Sequence, residues 1–405
     1  LRSALRRMLN LPKNSEVCYL YSSTDNGGAG LNDLRDEYSI QSIVQAFRLL
    51  NSKGFHTKQI ISDSLCFTAA SRLNVDFADL SSALTWLTTG NNKGNILSKK
   101  SWWFRVKRAI GYLEKNHNFS IFFEILQNSI AIRITSNIRG TCILTSVHRN
   151  ICSKVLHTAV EDSYFNKWQN SKLSNFITDT VISSQLNKII FRGDIGNFAW
   201  NFIHRARTNT IPVNARPMNK NPESRLCRRC QSTAETLSHA IQSCNSIKTL
   251  SRQRHDACLK LICDYISSPN LIIVIDRTCP KLLDSRERVD LRITDVEKKI
   301  IYLIDMKCPI DSKFNFERTD KDNLEKYSSL KSKIQLAKPD FRVELFTCMI
   351  GSLGSIPQSS LDIFKLLGLS DFKIRSLARK CSISNIEYSA KLWNFHATGN
   401  LISFY

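Results

Sequence analysis

Long apolar runs are missing from this sequence. No stretch approaches the roughly eighteen residues that a membrane-spanning helix needs, and the start does not read as a signal peptide. No lipidation signal is present, so an intracellular protein is expected. Acidic residues are scarce: 57 Lys and Arg stand against 35 Asp and Glu, a formal charge of +22. Such an imbalance favours a polyanionic partner, with nucleic acid first among them. The 13 cysteines form no even set, which argues against a disulfide framework and for a reduced compartment with one metal site. The 405 residues allow about two to four domains, each with its own core. Leu1 lies inside an apparent helix, so the chain is expected to be a fragment of a longer polyprotein.

What is present is organised around the stretch from Arg288 to Lys307. Residues 288–294 alternate polar and apolar side chains, and 300–305 are β-branched, aromatic and apolar, with the charged segment 295–299 between them. This pattern predicts a β-hairpin. Strand side chains alternate between faces, so Asp305 and Lys307 share one face, and in a closed hairpin Asp290 comes alongside Asp305. Two convergent carboxylates repel, which raises the pKa of one unless a cation sits between them. Mg²⁺ suits that role: it takes a few hard oxygen ligands and keeps waters, one of which can attack a phosphodiester. Lys307 would then orient the water or neutralise developing charge. The alternative is an exposed hairpin with solvated charges. Against it stands Asp305 inside the apolar run Leu303-Ile-Asp-Met306, where an unpaired carboxylate would cost several kcal/mol.

A second constellation is Cys227-Arg-Arg-Cys230 followed by His239 and Cys244. Three thiolates and an imidazole at these spacings match a tetrahedral Zn²⁺ site, with the metal supplying much of the folding energy of so small a segment. Glu235-Thr-Leu-Ser-His239 reads as the start of a helix delivering His239 and Cys244. Around it the charge shifts: Arg205, Arg207, Arg216, Lys220, Arg225, Arg228, Arg229, Lys248, Arg252 and Arg254 face only Glu223 and Glu235. That excess is read as a nucleic-acid footprint or as a solvated face. Arg254-His255-Asp256 opens a helix in which Arg254 and His255 are candidate phosphate contacts, the alternative for His255 being a surface residue near local charge.

Elsewhere the signals are weaker. Leu1 to Leu9 reads as a basic amphipathic helix ended by Pro12, and the glycine cluster 27–30 lacks the lysine of a phosphate-binding loop. Ser101-Trp-Trp-Phe-Arg-Val-Lys-Arg108 is read either as a base-stacking surface or as a helix whose aromatics are core. Phe77-Ala-Asp-Leu80 has a single carboxylate, too few for a polymerase metal motif. Residues 320–331 form an amphipathic helix with Leu324, Tyr327, Leu330 and Ile334 inward, followed by a strand at 341–350 and the turn Gly351-Ser-Leu-Gly354.

Asp290, the intervening 291–304, then Asp305-Met-Lys307 resembles the Pro-Asp…(Asp/Glu)-x-Lys nuclease core, in the version carried by site-specific non-LTR retrotransposons with a restriction-like endonuclease. Val289 stands where that family usually has Pro. The Cys-x-x-Cys…Glu-Thr-Leu-x-His-x-x-x-x-Cys segment is similar to the family's zinc knuckle. Leu9-Asn-Leu-Pro12 with Gly27-Gly-Ala-Gly-Leu31 resembles its reverse-transcriptase thumb, and the polymerase palm is absent. The resemblance implies a multidomain chain: a helical thumb remnant at 1–112, a helical linker at 113–215, a basic zinc knuckle at 216–250, an α/β restriction-endonuclease-like domain at 251–355 and a helical segment at 356–405. It implies Mg²⁺-dependent nicking of target DNA that primes reverse transcription of the element's RNA, in the nucleus at the insertion site. Asp290, Asp305 and Lys307 would be catalytic, with Lys326 and Tyr327 at the scissile phosphate. The rival reading is a decayed or domesticated knuckle protein that binds nucleic acid without cutting.

Overall fold

The computed structural model describes residues 2–89, 101–127, 129–171, 195–215, 221, 223–266, 270–275 and 287–401. It is a mixed α/β protein in two compact units, one comprising Cys18–Ser23 and Gly28–Trp168, the other Leu1–Val17, Thr24–Gly27 and Gln169–Tyr405.

The first unit contains α3 (Leu34–Leu50), α4 (Phe55–Leu73), α5 (Leu80–Thr89), α6 (Trp102–His117) and most of α7 (Cys152–Gln169), which follow the short α1 (Arg2–Met8) and α2 (Val17–Tyr21) in the chain. Between α6 and α7 run three antiparallel strands, β1 (Phe119–Leu126), β2 (Ser129–Ser136) and β3 (Gly140–Leu144), in the order β1-β2-β3. The expectation of a helical linker over 113–215 is therefore corrected. Asn118 adopts the left-handed conformation and stops α6. The next residues repeat with period 2, and Phe119, Ile121 and Phe123 are buried on alternate positions. In α6, Trp103, Val106, Ile110 and Leu113 are buried at helical spacing, which supports the core reading of the aromatic segment. Asp79 accepts a hydrogen bond from the Ser82 amide at 2.7 Å, so the lone carboxylate of Phe77-Ala-Asp-Leu80 holds the first turn of α5.

His157 Nε2 lies 2.7 Å from Glu37 Oε2 on the neighbouring helix. Burial works against the imidazolium, yet Glu37 outweighs it and raises His157 above its ordinary value. The same contact lowers Glu37. The His157 share of stability is therefore full below about pH 6.5 and is lost as pH rises through the raised folded value; the Glu37 share is lost on acidification. A thermal midpoint that declines between about pH 6 and 8 is expected to do so less in His157→Gln. Identical slopes in the two proteins would remove the pair as a source of pH dependence.

The second unit holds the hairpin. α8 (Asn197–Arg207) precedes the knuckle, and α9 (Lys248–Ile266) leads to the strands β4 (Leu271–Ile275), β5 (Leu291–Asp295) and β6 (Ile300–Lys307). The crossover helix α10 (Lys313–Ala337) returns the chain to β7 (Arg342–Met349), and α11 (Gln358–Leu366) and α12 (Asp371–Thr398) complete the unit. The sheet order is β4-β5-β6-β7, with β4, β5 and β6 antiparallel and β7 parallel to β6. Both faces of β6 are covered, which is why it reads as one apolar run rather than an alternation. Tyr302, Ile304 and Met306 pack with residues of α9, α11 and α12, while Ile301 and Leu303 pack with Tyr327, Leu330 and Ile334 of α10. Leu324, expected on the packed face of α10, is 37% exposed. Asn323 turns inward instead and donates to Thr347 on β7, because the buried set 316, 323, 327, 330 and 334 sets the helix's rotation one residue away.

Beyond β7 the chain turns at Gly351 and Gly354. A Cβ on Gly351 would lie 2.4 Å from Asp311 Oδ1, and Gly354 has φ +92° with Ser382 Oγ 2.6 Å from where its Cβ would be. Asp311, fully buried, accepts from the Leu353 and Ser355 amides and closes this turn. Among the described residues no helix is long and apolar enough to cross a membrane.

Candidate active site and metal centre

The ladder pairs Leu291 with Ile304, so the residues one step further along, Asp290 and Asp305, meet at the open end of the hairpin. The turn at its other end is closed by Asp295, which accepts from the Lys298 amide, and by Lys299 at φ 54°. Asp290 lies just before β5 and accepts a 2.7 Å hydrogen bond from the Met306 amide. Its Oδ2 also lies 3.0 Å from His255 Nε2. Burial pushes Asp290 upward, but the His255 contact outweighs it and holds the carboxyl below its ordinary range. His255 is correspondingly raised to about 9, with Asp290 outweighing its own desolvation.

Asp305 behaves in the opposite way. It is 2% exposed, and burial together with the nearby Asp290 charge raises its pKa. Lys307 forms an ion pair with its Oδ2, and the Tyr327 hydroxyl is 2.9 Å from its Oδ1. Lys326 reaches the same hydroxyl at 2.7 Å and lies 4.3 Å from the Tyr327 ring centroid. Tyr327 is thus both core and site: its ring is buried on β6, and its hydroxyl faces the cleft. The cleft has a volume of about 650 Å³ and is lined by Asp290, Asp305, Lys307, Lys326 and Tyr327, with His255, Arg252, Asp256, Glu287 and Arg288 around them. Among nearby acids that could add a ligand, Glu287 lines this cleft, whereas Asp276 and Asp284 lie outside the described residues.

Arg254 departs from its neighbour His255. It is 2% exposed, and its guanidinium donates to the hydroxyls of Ser352 at 3.3 Å and Ser389 at 3.1 Å. One helical position separates it from the cleft-facing side of α9, so His255 lines the cleft while Arg254 lines only a second cavity beside it, which His255 also reaches.

The knuckle brings its four residues together. The ligand atoms of Cys227, Cys230, His239 and Cys244 lie within 4.8 Å of one another, a cluster that can bind a metal such as zinc. Cys227 and Cys244 sulfurs are 3.8 Å apart, and Cys230 Sγ is 3.3 Å from His239 Nε2. Burial pushes the Cys227 thiol up to about 11, while the Ser232 hydroxyl beside it draws Cys230 down to about 6. His239 and Cys244 come not from an α-helix but from a π-turn, His239–Ser243, ended by Cys244. The wider turn closes a hydrogen bond from the Cys244 amide to the His239 carbonyl.

The basic surroundings of the knuckle are more structural than their composition suggests. Arg228 forms a fork with buried Glu235, and Arg229 donates to the carbonyl of His396. Arg207 is buried and donates to the Gly27 carbonyl, and Arg205 binds the Asn10 backbone. Arg225, Lys248 and Arg252 remain nearer the surface, while Arg216 and Lys220 lie outside the described residues. His396 itself was missed by the sequence reading. Its Nε2 is 3.2 Å from Cys227 Sγ, a contact that a residue so distant in sequence announces by no local pattern.

No protein-family model matches this chain, and no curated protein matches it. The fold and sites define a mixed α/β protein carrying a cysteine-histidine cluster suited to a metal such as zinc.

Proposed function

We propose that the chain is the C-terminal part of a site-specific non-LTR retrotransposon protein, and that its cleft is a restriction-like endonuclease site that nicks target DNA. The observation that carries this reading is the meeting of Asp290, Asp305 and Lys307 in one cleft at the end of the hairpin. Asp305 is raised first by its burial and then by the neighbouring Asp290, and two carboxyls brought together in this way support binding of a divalent cation. Asp290 and Asp305 would hold Mg²⁺, which when bound supplies an activated water. Lys307 stabilises the charge that develops on the phosphate, Tyr327 holds Asp305 in place, and Lys326 attracts the strand. The zinc knuckle positions nucleic acid, the element's RNA or the target DNA, and the work is done in the nucleus.

A second reading, a knuckle protein that binds without cutting, is favoured by one observation. Asp290 and Asp305 already have cationic partners in His255 and Lys307. Supercoiled plasmid separates the two. Nicking that appears with Mg²⁺ and stops with a chelator supports the nuclease; tight DNA binding with no nicking under any divalent cation leaves the binding protein. Within the nuclease reading, Tyr327→Phe is expected to slow nicking about tenfold, the worth of one hydrogen bond to a charged group. An unchanged single-turnover rate would reduce Tyr327 to a core residue.

A further inference from the structure

A second cavity, of about 340 Å³, adjoins the cleft and shares His255 and Lys307 with it. The two differ in sign. The cleft is lined by Asp256, Glu287, Asp290 and Asp305, whereas among the described residues no carboxylate lines the second cavity. Its cations are Arg254, Arg318, Lys307 and the shared His255, and hydroxyl and amide groups come from Ser238, Ser251 and Asn315.

Arg254 is the telling residue. It is 2% exposed, its Nε has no hydrogen-bond partner, and its Nη1 donates to the hydroxyls of Ser352 and Ser389. Among the described residues no acid forms a direct ion pair with it; buried Asp311 favours its charge only through space. A buried guanidinium costs several kcal/mol unless an anion compensates it, and the planar fork suits phosphate oxygens. Arg318 also lines the cavity, exposed on α10 with its guanidinium 5.5 Å from the Phe314 ring.

We infer that this cavity is a phosphate subsite, seating a backbone phosphate next to the one in the cleft as the strand passes toward the knuckle. The inference rests on the nuclease reading of the cleft for its strand, but not for its anion. Arg254 anchors the phosphate from below, Arg318 closes over it, and the serine hydroxyls donate to its remaining oxygens. Lys307, on the shared wall, then faces two phosphates at once.

The test uses the full chain, with inorganic phosphate and supercoiled plasmid as probes. Phosphate, compared with chloride at equal ionic strength, is expected to raise the thermal midpoint of the wild type and of Asp305→Ala alike, by a few degrees at saturation, about what a ligand bound only to the folded state gives. In Arg318→Ala that rise should fall to less than half, with Arg318→Lys between. In plasmid nicking, Arg318→Ala should raise KM about tenfold with kcat little changed, the mark of lost ground-state binding. No phosphate response in the wild type, or an undiminished one in Arg318→Ala, overturns the subsite. If no protein nicks plasmid but Arg318 still governs the phosphate response, the nuclease reading fails and the anion site stands.

Discussion

Lys307→Ala is expected to slow plasmid nicking by about two to three orders of magnitude, the usual cost of losing one preorganised charge at a reacting phosphate. Lys307 is the last residue of β6, a strand buried on both faces, and is still paired with Met349 of β7, so its backbone is fixed by the sheet rather than by a loop. Its ammonium is paired with Asp305 and is 38% exposed toward the cleft. The substitution removes no packed core atoms, and the folded state should survive it. Asp305→Asn makes the complementary case. It keeps the shape and the Tyr327 contact, removes the charge that Asp290 opposes, and should abolish Mg²⁺-dependent nicking while leaving the thermal midpoint equal or higher. Because Asp305 is raised by burial and by Asp290, its ionised form is a strain on the metal-free fold, which the neutral amide relieves. The pair of variants therefore separates catalysis from folding. A Lys307→Ala protein that nicks as fast as the wild type, or an Asp305→Asn protein that still nicks with Mg²⁺, would end the nuclease reading.

Removal of the knuckle metal should be the largest stability effect in the molecule. Structural zinc in small knuckles contributes on the order of 10 kcal/mol to folding of the segment that holds it. In this chain the segment is not isolated. Cys227 and Cys244 lie in one core cluster with Phe202, Ala240, Ile247, Ile386 and Trp393, and Gln242 of the π-turn donates to the Cys308 carbonyl, one residue past Lys307. Loosening the metal loop should therefore reach the strand that carries the candidate site. Chelation, or Cys227→Ser, is expected to lower the thermal midpoint by on the order of 10 °C. It should also open the Arg228–Arg229 bond to trypsin, because Arg228 is otherwise held by Glu235 and Arg229 by the end of α12. Metal analysis should give zinc in the wild type and little in the variant. A wild-type protein isolated without metal, with the same midpoint before and after chelation, would show that the cluster is four packed side chains and nothing more.

These predictions draw unequally on sequence and structure. The hairpin was legible because a period-2 arm, a charged turn and an apolar arm are local patterns, and the two-residue step from Asp305 to Lys307 sets their common face without any tertiary information. The knuckle was legible for the same reason: four ligands close together in sequence can reach one point through a short loop. The β-sheet at 119–144 is also written locally, in the alternation of Phe119, Ile121 and Phe123, although the resemblance implies a helical linker there.

Other features depended on residues far apart in the chain. His255 meeting Asp290, Tyr327 reaching Asp305, His396 lying against Cys227 and Arg254 turning away from the cleft all join elements whose relative placement comes from packing. Composition alone made the arginines around the knuckle a uniform basic surface, yet burial of Glu235 and the end of α12 beside them converted Arg228 and Arg229 into internal ties. The sequence by itself determined which short segments could hold cations and which strand would be buried, since both follow from spacing along a few residues. Which charges face the cleft, which are neutralised inside the core, and where a second, basic cavity opens were decided only by tertiary structure, because the field at a side chain is set by whatever the fold brings within a few ångströms of it.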